Sequence, residues 1–286
     1  MALANVREMI DSEIEGRMRQ YAWRKTPSQV TSLGIWFDLS MSPGMPVPKY
    51  WFDAPPAIAK VISQSTDGGV FHGANVSPQT KYIRQLTTRA SVVTALPMTM
   101  ILCDYLMYYP SIDDSVIEAQ LLDNTTTIPR YTDGAGVQVI AVTVAGRTGG
   151  QSFTFNYTNS EGASGRISQV MVQNAFSAIG TIAISDRATL DSYGPFCGLQ
   201  DGDSGVRSIE SVTMNGADVG LFTLILVKPL AQTAIKEITA PYEKDFFLAA
   251  GNLPEVKDDA YLSFLCVPNG SLSATVLMGD LKVIWN

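Results

Sequence analysis

The sequence predicts a mainly β protein: an antiparallel β-sandwich, jelly-roll-like, led by an N-terminal helix and an extended Pro-rich arm. Three observations point there. Short apolar runs with strand periodicity recur through the second half of the chain, Gly-rich turns separate them, and no long helical pattern intervenes. Hydrophobic residues make up 46% of the 286 and charged residues 16%, enough apolar material for a sizeable core and too much for global disorder.

The elements follow in chain order. Residues 4–22 place Val6, Ile10, Ile14 and Met18 four apart, with Asp11, Glu13, Glu15 and Arg17 between them. That spacing makes one apolar stripe on a helix. With the breaker KTPSQ behind it, residues 1–25 read as a helical arm, packed on its own domain or reaching a neighbouring subunit. Next, MSPGMPVPKYWFDAPP carries prolines at 43, 46, 48, 55 and 56. Proline fixes φ and removes a backbone donor, so this stretch is extended and irregular, and Tyr50, Trp51 and Phe52 need cover from the same chain or from a partner.

Residues 57–125 mix helical and strand patterns. The apolar stretch 91–110, SVVTALPMTMILCDYLMYYP, is interrupted by Pro97 and Asp104. It barely reaches the roughly 20 residues of a membrane-spanning helix, so buried structure is expected there. In SIDDSVIEAQLLD, Ser111 suits an N-cap, Asp113 and Asp114 a first turn, and Ile117, Leu121 and Leu122 one face, giving a short helix or a strand connection. The turn-rich PRYTDGAG, residues 129–136, is the best boundary. The chain therefore divides into the arm 1–25, a Pro-rich and mixed β/α region 26–134, and a sandwich 135–286.

In that last part VQVIAVTV and SFTFNYT, joined by AGRTGG, are most economically an antiparallel hairpin. GTIAIS, GLFTLILV, AYLSFLCV, SATVLMG and DLKVIWN continue the series.

Composition also limits function. A net charge of -7 leaves no broad cationic surface for phosphates, so nucleic acid is not expected as a partner. No apolar core follows the charged N-terminus, and no segment reads as a membrane span, so the chain is expected to fold in a cytosol. Three widely spaced cysteines read as buried thiols, and one histidine without a Cys-x-x-Cys gives a metal site nothing to be built from; no cofactor is expected.

One motif raises the question of catalysis. Gly202-Asp203-Ser204-Gly205 matches the turn around a trypsin-like nucleophile, and His72 precedes it in the protease order. The match ends at Val206, and no single aspartate stands out as the third member. Glycines 202 and 205 with capping Asp and Ser side chains explain the stretch as a turn. AGRTGGQS lacks the lysine of a phosphate loop. The pairs Asp113–Asp114 and Asp201–Asp203 read as solvated caps rather than as calcium or glycosidase carboxylates. Tyr50, Trp51, Tyr108 and Tyr109 read as core aromatics before a sugar platform.

GMPVPKYWFDAPPAIAKVI, GGVFHGANVSPQTKYIRQLTT, DYLMYYPSIDDS and PRYTDGAGVQV resemble stretches of virion structural proteins of tailed bacteriophages. The resemblance implies a particle component made in the bacterial cytoplasm, a capsid decoration, cement or minor head protein without catalytic residues. Its implied partners are the major capsid protein and copies of itself, with a trimer as one candidate. Val6, Ile10, Ile14, Met18, Tyr50, Trp51 and Phe52 are the expected assembly contacts. The alternatives are a tail or receptor-binding component whose 185–218 loop contacts a host glycan and, further off, a serine hydrolase at Ser204.

Overall fold

The computed structural model describes Leu3 and residues 6–184, 194–250 and 253–286. It is mainly β, with antiparallel pairing throughout its three sheets. The long strands are β1 (Met18–Lys25), β2 (Lys81–Ala90), β3 (Met98–Asp113), β4 (Gln138–Ala145), β5 (Ser152–Asn159), β6 (Val206–Met214), β7 (Leu221–Ile235), β8 (Tyr242–Asp245), β9 (Tyr261–Val267) and β10 (Leu277–Trp285). The N-terminal helix α1 spans Val6–Ile14.

The first sheet runs β8-β2-β10-β1, closed at one edge by the two-residue strand Gly44–Met45. The central sheet runs from Phe37–Asp38 through β9, β3 and β7 to β4. The third sheet pairs β5 with β6 and carries three two-residue strands: Arg166–Ile167 and Met171–Val172 on β5, and Gln120–Leu121 on β6. The first sheet alternates in the manner of a half-exposed surface: Gln20, Ala22 and Arg24 of β1 are exposed while Trp23 and Lys25 are buried.

The central sheet is apolar on both faces, which is why residues 91–110 looked long enough to tempt a membrane reading. Met98, Met100 and Leu102 of β3 join one core with Trp23, Leu86, Phe264 and Leu281. Cys103, Tyr105, Met107 and Tyr109 join the other, with Phe155, Ile209, Val212 and Leu224. Packing sheets on both sides of a strand turns alternation into a continuous apolar run. Among the described residues no helix is long and apolar enough to cross a membrane. All three cysteines are buried free thiols.

Several expectations need correction. The helix ends at Ile14, and Met18 opens β1, which is paired with β10 along its whole length. Residues 18–25 are therefore part of the first sheet, and the arm is only the part before them. Gly16, with φ 75°, makes the break between the two elements. Of the two alternatives for residues 111–123 the strand connection holds and the helix does not: Ser111–Asp113 complete β3, Gln120–Leu121 pairs with β6, and Ile117 and Leu121 are exposed while Leu122 is buried.

VQVIAVTV and SFTFNYT are not a hairpin either, because β4 lies in the central sheet and β5 in the third. The link between them is held inside by Arg147, whose buried side chain lies 3.5 Å from the equally buried Asp114 and over the ring of Phe222. Gly149 is required there: at φ 75°, a Cβ would come within 2.3 Å of the Asn174 carbonyl. SATVLMG and DLKVIWN share the one strand β10. Strands from both sides of the 129–136 turn meet in the central sheet, where β3 pairs with β7 and β9.

Candidate functional site

The two ends of β1 carry apolar surface with opposite fates. At its start, α1 turns Met9 inward at 6% exposure, while Val6, Ile10 and Ile14 remain 45%, 46% and 78% exposed. The i, i+4, i+8 stripe read from the sequence exists, but it faces outward. Polar groups fix the helix from below: Arg17 donates to Ser12 Oγ and pairs with Glu15, and the Trp285 amide donates to the Arg17 carbonyl.

At the other end of β1 the Pro-rich segment is anchored by buried polar groups. Lys25 points inward, and its Nζ donates to three carbonyls, of Ser40 at 3.2 Å, Ser42 at 3.0 Å and Pro46 at 2.9 Å. Proline-rich backbone lacks donors of its own, so a cation replaces the missing sheet partners. Burial lowers the Lys25 ammonium to about 8, with nearby Asp38 pulling the other way.

Asp38 is the second anchor. Its carboxylate accepts from the Ser40 amide and hydroxyl, from Trp51 Nε1 at 2.7 Å and from the Tyr105 hydroxyl at 2.8 Å. Complete burial pushes the Asp38 carboxyl above its ordinary value while these donors hold it down. Trp51 thus sits in the core, stacked on Tyr105 at 5.6 Å and edge-on to Tyr108 and Tyr261. Lys49 completes the pinning through Asp53 at 2.6 Å and Asp67 at 2.9 Å.

Because Trp51 points in, its neighbours point out. Tyr50 and Phe52 are 47% and 45% exposed and their rings lie 5.4 Å apart. Met45 and Val47 are exposed beside them in the chain. A cleft bounded by Phe37, Met41, Pro43, Tyr50, Phe52 and Ile179 opens on this surface. Of the seven expected contacts, five are therefore at least 45% exposed; Trp51 is interior and Met18, half-buried, belongs to a strand.

The catalytic candidates are apart in their bonding. His72 is buried, its Nε2 2.9 Å from the Ala260 carbonyl and its Nδ1 3.1 Å from Lys81 Nζ. Burial and the adjacent Lys81 charge lower the imidazole to about 4, which keeps the ring neutral with Nδ1 as acceptor. Ser204 Oγ lies 2.9 Å from Ser160 Oγ instead. Both imidazole nitrogens are thus engaged away from the serine. Asp203 does not cap its own turn; it takes Arg166, Tyr157 and Asn159 as partners, and Arg166 holds its carboxyl below the usual range. Asp114 is likewise a buried partner of Gln173 and Arg147 rather than a solvated cap. Tyr108 and Tyr109 are fully buried. The glycan loop proposed at 185–218 lies outside the described residues over 185–193, and its Val206–Met214 part is no loop but the strand β6, paired with β5.

The sequence reading missed Lys25, Asp38 and Lys49. Asp38 did leave a signal, a lone carboxylate in the apolar run GIWFDLSM. Such a group must find donors when the run is buried.

No family model and no curated protein matches this chain. Among solved structures it is similar to the infectious bursal disease virus VP2 subviral particle, at 8% identity over 94% of this chain and 80% of that one, with a TM-score of 0.18. A point mutant of the same VP2 protein, in T=1 particles, gives 8% identity over 94% and 78% with a TM-score of 0.17. Likeness at that level carries no weight for fold or role.

Proposed function

We propose that this protein is a structural component of a bacteriophage particle, which associates with copies of itself and with the capsid surface as a cement, decoration or minor capsid protein. The observation that carries this reading is the outward apolar stripe of α1, supported by the second apolar surface at Tyr50 and Phe52. Exposed apolar patches of this sort mark contact surfaces. They lie toward opposite ends of β1, whose eight residues rise by about 25 Å. Contact between unlike patches on identical chains is heterologous and closes into a ring when the rotation allows, so a small ring such as a trimer suits the arrangement. The resemblance of four stretches to phage virion proteins supports the same role.

The test is attachment. Residues 1–15 can be removed without touching β1, whereas removing 1–25 would take a strand out of the first sheet. The shortened chain should keep its β spectrum and lose binding to capsid shells purified without it. Full attachment of the shortened chain would end this role for α1.

A further inference from the structure

The outward face of the first sheet forms a groove of about 650 Å³. Strand register places its side chains in rungs. One rung sets Arg24 of β1 and Arg89 of β2 on either side of Met278 of β10. The two arginines stand two strands apart, about 10 Å between Cα atoms. The next rung, about 7 Å along, carries Asp280 beside Thr87, with Glu243 following on β8. A third sets Lys282 between Gln20 and Gln85.

On a chain of net charge -7 the groove's three cations, Arg24, Arg89 and Lys282, outnumber its two carboxylates, Asp280 and Glu243. Arg24 and Arg89 are both exposed, and neither has an ion pair or side-chain hydrogen bond among the described residues. Arg84, on the same strand as Arg89, is by contrast paired with Glu13 and Asp245. Two guanidinium forks without partners, one on each strand flanking β10, match a single carboxylate.

The adjoining rung decides among anions. A phosphate chain would bring a second negative charge onto Asp280 and Glu243. The lining also holds Ala22, Met45, Pro241 and Met278, an apolar floor on which one face of a sugar ring can lie. A sugar ring with one carboxylate supplies hydroxyls instead, which donate to Asp280 and to the second oxygen of Glu243, whose Oε2 takes Gln85 Nε2 at 3.1 Å, and accept from Gln20 and the other amide hydrogen of Gln85. We propose that this groove binds an acidic oligosaccharide, with a uronic-type carboxylate between Arg24 and Arg89 and the ring hydroxyls on Asp280, Glu243 and Gln85. The site is separate from α1 and from Tyr50 and Phe52, and it does not rest on the assembly reading.

Calorimetric titration of the full chain at low salt tests it, with glucuronosyl-xylobiose, which carries one carboxylate, as probe, xylotriose as the neutral counterpart and a glutamate-rich peptide as a charged one. Saturable binding of glucuronosyl-xylobiose is expected, at least tenfold tighter than xylotriose. Arg24→Gln and Arg89→Gln should each weaken it tenfold or more, while Arg7→Gln, on α1, leaves it unchanged. Both groove side chains are exposed, so thermal melts of the variants should match the parent; if either fails to fold, Arg24→Lys and Arg89→Lys keep the charge and should still lose binding severalfold with the fork. No binding of glucuronosyl-xylobiose, equal binding of xylotriose, or full binding by the doubly substituted chain would overturn the proposal. Tighter binding of the peptide would overturn it as well and assign the groove to an acidic protein segment.

Discussion

Helix α1 and the Pro-rich segment lie at opposite ends of one strand, and the same kind of sequence signal marked both as apolar. They relate to the core in opposite ways. The Pro-rich segment sends its largest side chain, Trp51, fully inside and holds its backbone with Lys25 and Asp38. The helix commits only Met9 and Ser12 to the interior. Apolar spacing therefore establishes that a stripe exists, whereas buried polar partners decide which side faces in.

Breaking the anchored end should have the largest effect. Trp51→Ala removes a fully buried indole and leaves Asp38 without one of its donors, so a loss of about 3–5 kcal/mol is expected in denaturant unfolding. A loss under about 1 kcal/mol would mean that the segment is held by something else.

Lys25 sharpens the point through pH. Its folded value, about 8, lies below the ordinary 10.5, so between these values the unfolded chain binds the extra proton and stability rises with pH. Measured against Lys25→Met, the native chain should gain on the order of 3 kcal/mol across that window. A flat difference would show that the ammonium is not penalised by burial. On the acid side His72 has the same form: its folded value of about 4 lies below 6.5, so its contribution is full above pH 6.5 and is lost as the pH falls towards 4. A His72→Gln chain should lack that part of the acid loss in pH-dependent melts.

Tyr50→Ser with Phe52→Ser tests the outward half of the same segment. Both rings are half-exposed, so stability should change by only about 1 kcal/mol while self-association weakens. If unfolding shifts as far as for Trp51→Ala, these rings belong to the chain's own core.

Much of the fold was legible because strands announce themselves locally. β4, β5, β7 and β9 lie where the apolar runs and Phe153-Phe155-Tyr157 alternation placed them. What failed was pairing. Nothing local in AGRTGG tells that Arg147 turns inward to Asp114, 33 positions earlier in the chain, and thereby sends the next strand to another sheet. Met18 failed for a related reason: its fourfold spacing from Ile14 fits a helix, but pairing with Ile284 of β10 overrides it. The exposed side chains of Val6, Ile10, Ile14, Tyr50 and Phe52 were legible as apolar residues in awkward places. The arginine groove was not, since Arg24 and Arg89 meet only through the register of β10 between them.

The smallest change in stability belongs to the most decisive experiment. Ile10→Ser with Ile14→Ser alters side chains that face outward on α1, so the melting temperature should stay the same. In sedimentation over one concentration series, the native chain should run as an assembly larger than the 30.9 kDa monomer and the substituted chain as the monomer. If both sediment alike as monomers, or both as the same assembly, the stripe on α1 does not join copies of this protein.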